Sequence, residues 1–180
     1  NVDLGDKIIK IGDSAFENCK TLQTFNGGAN IEIIGSRTFF GCKQLNAFTP
    51  SNNLRTIGQE AFANNMELVT FSIPAKTESI GRGAFCNSGL KELDLADFCN
   101  YRRDIISGCD SLKIISVSNS NKKLKSANGV LLSRDESKII TYPCAKEDVI
   151  YEISSKVTEI EDSAFYSVNK LRALTISENV

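Results

Sequence analysis

The chain of 180 residues contains no histidine. That removes the commonest general base and the usual partner of a catalytic serine or cysteine. No G-x-G-x-x-G or G-x-x-x-x-G-K-[ST] stretch occurs, so no phosphate cradle is signalled; the nearest approach, Gly81-Arg82-Gly83, is explained by the repeat described below. The six cysteines make no C-x-x-C pair and have no histidine to complete a zinc set, and they are too few for a disulfide scaffold. Long apolar runs are missing too: nothing approaches the roughly 20 residues of a spanning helix, and residue 1 does not open a charged-then-apolar signal segment. Net charge is only −1, with 21 basic and 22 acidic residues spread along the chain. Neither nucleic acid nor an acidic membrane is indicated as a partner. Lys122, Lys123 and Lys125, and the pair Arg102 and Arg103, read as solvated loop charges. These absences exclude the common catalytic classes and predict no enzyme, no cofactor, no metal and no membrane insertion by this segment.

What is present is a ruler. The motif Ile11-Gly12-Asp13-Ser14-Ala15-Phe16-Glu17-Asn18-Cys19-Lys20-Thr21-Leu22-Gln23-Thr24-Phe25 returns down the chain, with its ring at Phe16, Phe39, Phe62 and Phe85, each 23 residues on, then replaced by Ile106 after 21 and restored as Phe165 after a long gap. A fixed period of this size predicts a stacked solenoid. The first half of the motif ends in two apolar residues and a glycine (Ile8 to Gly12, Ile31 to Gly35, Leu54 to Gly58, Thr77 to Gly81) and suits a short extended piece with a sharp turn, for which glycine supplies conformational freedom. Glu161 takes that place in the last repeat and predicts a gentler bend there. The second half reads Leu-x-x-Φ-x-Φ, where Φ is apolar, as in Leu68 to Ile73, Leu90 to Leu95, Leu112 to Val117 and Leu171 to Ile176. Its alternation is that of a strand with one buried face. Gly27 and Pro50 fill the final apolar place in two repeats and predict shorter or irregular strands there.

Stacked in register, Phe16, Phe39, Phe62, Phe85, Ile106 and Phe165 form the predicted core column, each buried ring contributing roughly 1.5–3 kcal/mol. Cys19, Cys42 and Cys109 fall three residues before the repeat leucine, a place taken by Asn65 and Val168 elsewhere. Interchange among Cys, Asn and Val points to a small inward slot, with free thiols expected. A Cys19–Cys42 disulfide is sterically conceivable between adjacent strands about 5 Å apart, and the redox compartment stays open.

The run I-G-x-x-A-F-x-x-C-x-x-L-x-x-Φ-x-Φ-P, seen in mosaic with its proline at Pro74, resembles the BspA-type leucine-rich repeat over essentially the whole chain. Ser126 to Asp135 followed by Lys138 to Pro143 looks like the hairpin insertion common in that family, with two apolar runs around the turn Asp135-Glu136-Ser137. The resemblance implies a β-rich α/β repeat solenoid, a right-handed leucine-rich repeat coil with a parallel sheet on its concave face. Repeats fall near 8–30, 31–53, 54–76, 77–97, 98–117 and 154–180, with the insertion at 118–153. The chain starts and stops in mid-repeat, so it is expected to be part of a longer array.

On the open face of such a coil the residues between buried places form two columns. One is Thr24, Ala47, Thr70, Glu92, Ile114 and Ala173; the other is Asn26, Thr49, Ser72, Asp94, Ser116 and Thr175. Eight strands counted as one strip offer roughly 440 Å², against about 800 Å² per partner in a standard interface, so binding would also recruit loops, the hairpin or further repeats. The resemblance implies a non-catalytic protein-binding module at the cell surface or secreted, serving adhesion or attachment to host or matrix proteins. The alternative is a cytoplasmic or cytoskeletal scaffold that binds filaments or sister subunits, a reading that free cysteines and the lack of any N-x-[ST] sequon permit.

Overall fold

The computed structural model describes residues 1–180 as a β-solenoid of about eight turns, made of sixteen short strands and one 3-10 helix. The first half of the motif forms β2 (Lys10–Ile11), β4 (Ile33–Ile34), β6 (Thr56–Ile57) and β8 (Ser79–Ile80), one parallel sheet in which Lys10, Ile33, Thr56 and Ser79 lie side by side. The second half forms β1 (Val2–Asp3), β3 (Thr24–Asn26), β5 (Ala47–Thr49), β7 (Thr70–Ser72), β9 (Glu92–Asp94), β10 (Ile114–Ser116), β14 (Ile150–Glu152) and β16 (Ala173–Thr175), again parallel wherever they pair.

Helix is confined to Arg103–Ile106, because the segment that carries the ring is held by left-handed residues on both sides of it. Two places before the ring stand Ser14, Arg37, Glu60 and Ser163, and two places after it Asn18, Asn64, Asn87 and Ser167, all with φ between 52° and 61°. Such residues cannot continue an α-helix. They turn alternate amides toward the next layer, so that Phe39 donates to the Ala61 carbonyl at 2.8 Å and Phe62 to that of Ala84 at 2.7 Å.

The glycines that close the first half act through proximity rather than through an unusual φ. A Cβ on Gly58 would stand 2.4 Å from the carbonyl carbon of Gly35, and one on Gly81 2.4 Å from the Gln59 nitrogen. Successive turns approach too closely there for any side chain. Glu161 still gives the corresponding ladder bond, donating to the Ile139 carbonyl at 2.9 Å as Gly58 donates to that of Ile34 at 2.8 Å. The layer beneath Glu161 runs from Ile139 to Tyr142, two residues shorter than Ile57 to Phe62.

The core is a zigzag of rings. Phe16, Phe39, Phe62 and Phe85 stack with centroids 5.3, 5.3 and 5.4 Å apart. A second column from the strands, Phe25, Phe48 and Phe71, inserts between them; Phe25 meets Phe39 edge to face at 4.6 Å, an arrangement that satisfies the ring quadrupoles. Beyond Phe85 the column continues in aliphatic form through the buried Ile106, with Leu93 and Ile115 in the strand places.

Residues 124–141 form an antiparallel meander of β11 (Leu124–Ala127), β12 (Val130–Ser133) and β13 (Lys138–Thr141). Asn128 and Gly129, at φ 51° and 82°, make the tight turn between the first two strands. The third strand then pairs in parallel with β15 (Glu159–Ile160), so it also serves as the first-half strand of a solenoid turn. Tyr142 follows it into the ring position, donating its N–H to Ala164 at 2.8 Å and stacking on Phe165 at 5.1 Å.

Candidate functional site

The second-half strands set the two columns side by side. Register places Thr24 beside Ala47 and Asn26 beside Thr49; Thr70, Glu92 and Ile114 follow one another, as do Ser72, Asp94 and Ser116. Phe25, Phe71, Leu93 and Ile115 between them point inward and are buried, which leaves the column residues outward. Ala47, Thr49, Thr70, Ser72, Glu92, Ile114, Ala173 and Thr175 are exposed, while Thr24, Asp94 and Ser116 are half-buried. Asp94 is occupied within the fold, its Oδ1 accepting from the Ala96 amide at 3.0 Å and from Ser116 Oγ at 3.2 Å. Glu92 is the free carboxylate of the acidic spot.

This face is not the single strip of eight strands that the repeat count suggests. It falls into the groups β1-β3-β5, β7-β9-β10 and β14-β16. At the first break one missing bond has a chemical cause. Leu4, Gly27, Ile73 and Leu95 each donate a backbone N–H to the next turn, as Gly27 does to Thr49 at 3.1 Å, and Pro50 occupies that place with no hydrogen to give. The second break is the Asn128-Gly129 turn, which lies against β10. The Ile115 amide donates to the Gly129 carbonyl at 3.0 Å, and Ser126 Oγ donates to the Ile115 carbonyl at 2.6 Å. Beyond it the columns resume at Ile150 and Glu152, beside Ala173 and Thr175. The columns read from the sequence leave these two out, although Tyr151-Glu152-Ile153 matches the end of a repeat strand.

The slot column is structural. Cys42 and Cys109 are buried, and their thiols donate to the Phe16 and Phe85 carbonyls at 3.1 and 3.0 Å. Burial pushes both thiols up to about 11, so neither supplies a thiolate nucleophile near neutral pH. Ser88 fills the slot of the fourth repeat, its Oγ 3.4 Å from Cys109 Sγ. Asn65 fills the third, fully buried, and neither its Nδ2 nor its Oδ1 has a hydrogen-bond partner. Phe39, Phe62 and Phe85 are completely enclosed, whereas Phe16, Cys19 and Phe165, outermost in their columns, are half-buried. All six cysteines are unpaired. No group of three His, Cys, Asp or Glu side chains is disposed to hold a metal ion, and no helix is long and apolar enough to cross a membrane.

Two arginines, one in a first-half segment and one in a ring-bearing loop, are held in ion pairs between turns. Arg55 stands between Glu32 and Glu78, its neighbours one turn away on each side, at 3.9 and 2.5 Å, and Arg37 joins Glu17 and Glu60, both at 2.6 Å.

Comparison with known proteins agrees with this geometry. The family model described as BspA type leucine-rich repeat region matches in six copies over residues 1–113 and 142–180. No curated protein matches the chain. Among solved structures, a leucine-rich repeat protein from Eubacterium ventriosum superposes with TM-score 0.68 at 23% identity, covering 87% of this chain and 48% of that one. A leucine-rich cell surface protein from Faecalibacterium prausnitzii gives 0.68 at 19% identity, covering 96% and 59%. The pneumococcal vaccine antigen PcpA gives 0.60 at 23% identity, covering 98% and 44%. The chain therefore spans about half the length of the solved proteins it resembles, and these likenesses concern the fold.

Proposed function

The chain belongs to the BspA-type leucine-rich repeat family, and we propose that it is a non-catalytic module for attachment to a protein of the host surface or extracellular matrix, displayed at the cell surface or secreted. The leucine-rich repeat family points to protein interaction. The observation that carries the reading is the row of exposed polar side chains on the second-half strands. Arg55 is held in ion pairs between turns, whereas Thr70 and Glu92 stand exposed in register, with Ser72 beside them and Thr49 exposed on the neighbouring strand group, and these four hydrogen-bond to no other side chain. Uncommitted polar groups on a rigid sheet bind a protein without first breaking internal contacts. The surface character of the Faecalibacterium prausnitzii neighbour supports the location proposed.

The test is binding of the purified chain to immobilised fibronectin, laminin and collagen, alongside the variant Thr49→Arg/Thr70→Arg/Glu92→Arg. Saturable binding to at least one of them, weakened about tenfold or more in the variant, is the expected result. Binding to none of the three, or binding that the variant leaves intact, overturns the proposal.

A further inference from the structure

The meander gathers positive charge. Residues 122–138 carry five basic and two acidic side chains, in a chain whose remainder is more acidic than basic. The run Asn121-Lys122-Lys123-Leu124-Lys125-Ser126 is of the lysine-rich kind that forms nucleic-acid or heparin patches. Alone it reads as solvated charge. The fold adds Arg134 and Lys156 to it from two other segments.

The antiparallel pairing that sets Leu124 opposite Ser133 continues one step past both strands. The Arg134 amide donates to the Lys123 carbonyl at 2.8 Å, which places Lys123 directly across from Arg134. Like charges so placed repel. The cations around them are paired: Lys125 and Lys156 share Oε1 of Glu136 at 2.8 and 3.2 Å, and Lys138 meets Glu159 at 2.6 Å. Asp135 is turned back on its own turn, its Oδ1 accepting from Ser133 Oγ at 2.6 Å, from Ser137 Oγ at 2.8 Å and from the Ser137 amide at 3.1 Å. Lys122, Lys123 and Arg134 are left exposed, with no carboxylate within ion-pair distance. The backbone beneath them is fixed. Buried Asn121 accepts from the Lys123 and Leu124 amides at 3.1 and 2.9 Å, and its Nδ2 donates to the Ala96 and Phe98 carbonyls at 3.1 and 3.2 Å. A repulsion held on a rigid support is relieved when an anion binds between the charges.

The surroundings select the kind of anion. Residues 118–141 contain no aromatic side chain, so a nucleobase finds no ring to stack on. Leu124, Val130, Leu131, Leu132 and Ile139 are buried, which leaves no apolar face to enter a bilayer. What remains is mostly lysine, compact point charges that match single anionic groups spaced along a chain.

We propose that the end of the meander remote from the Asn128-Gly129 turn binds a sulfated polysaccharide, with one sulfate between Lys123 and Arg134 and others on Lys122, Lys125 and Lys156. This surface is separate from the strand columns, so it does not rest on the attachment proposed above.

The experiment is calorimetric titration of the whole chain with a heparin-derived octasaccharide. The comparison ligands are the same octasaccharide chemically desulfated, a single-stranded DNA octamer and phosphatidylserine vesicles. Saturable binding of the sulfated octasaccharide, about tenfold or more tighter than any of the other three and weakening as salt rises, is expected. Lys122→Gln/Lys123→Gln/Arg134→Gln should weaken it about tenfold or more and flatten its salt dependence. Lys7→Gln/Lys43→Gln/Lys91→Gln removes the same charge from exposed sites elsewhere and should leave binding within about twofold. Absence of binding, equal binding after desulfation, tighter binding to DNA or vesicles, or equal loss in the two variants would each overturn the proposal. If the first variant does not fold, amide NMR shifts of the unaltered chain with the octasaccharide decide: shifts confined to residues 121–126, 133–138 and 154–156 support the site, and shifts centred elsewhere overturn it.

Discussion

Tyr142 lies nearly parallel to Phe165, with ring centroids 5.1 Å apart and planes 22° from one another, in the same relation that Phe62 has to Phe85. The meander therefore returns the chain to the phase it left. Its hydroxyl also donates to Asp148 Oδ2 at 3.0 Å, tying the ring to the approach of β14.

Tyr142 should consequently behave as a core residue despite its place just after an insertion. Tyr142→Ala is expected to cost about 3–5 kcal/mol and Tyr142→Phe, which loses only the hydroxyl bond, about 1 kcal/mol. Chemical denaturation followed by circular dichroism measures both; equal costs would contradict the assignment.

The repeat phase was legible from Phe16 to Phe85 because nothing intervenes to shift it, and the exposed columns could be read off the same ruler. Ile106 and Phe165 kept their places by pattern. Tyr142 did not, because its layer drops two residues and its ring is a tyrosine. Asn128-Gly129 carried a hairpin signal in plain view, yet the apolar runs around Asp135 to Ser137 drew the reading to the second turn of the meander alone. The interruption at Pro50 was foreseeable as an irregularity, but which bond it deletes depends on the partner turn.

Asn65 offers a stabilising change. Its buried amide has no partner, whereas Cys42 and Cys109 in the same slot donate to the carbonyl of a ring residue one turn earlier. Asn65→Cys should raise stability by about 1–3 kcal/mol, the cost of an unmet buried polar group. A denaturation midpoint unchanged or lowered relative to the parent chain would refute that.

The glycines supply an internal control. A Cβ at Gly58 would collide with Gly35, while one at Gly12 meets nothing within 4 Å. Gly58→Ala should cost about 3 kcal/mol by overpacking, and Gly12→Ala should stay within about 0.5 kcal/mol. Thermal melts of the two variants side by side are sufficient to compare them.

The buried thiols set an alkaline limit. Folding raises Cys42 and Cys109 from the ordinary thiol value of 9.0 to about 11, so the unfolded chain loses these protons first. Their contribution is fully present below pH 9 and declines as pH rises toward about 11, by a few kcal/mol in all. Urea midpoints across that window should fall for the parent chain and less steeply for Cys42→Ala/Cys109→Ala; parallel profiles would show that other groups control the decline.

The most direct measurement of the proposed function is site-specific photo-crosslinking. A benzophenone amino acid at Thr70, on the exposed second-half column, is compared with one at Ser79, exposed on the first-half sheet, each irradiated with fibronectin, laminin and collagen. Adducts from Thr70 and none from Ser79 are the predicted result. Adducts from Ser79 alone, or equal yields from both, would contradict attachment through the face that Thr70 shares with Glu92.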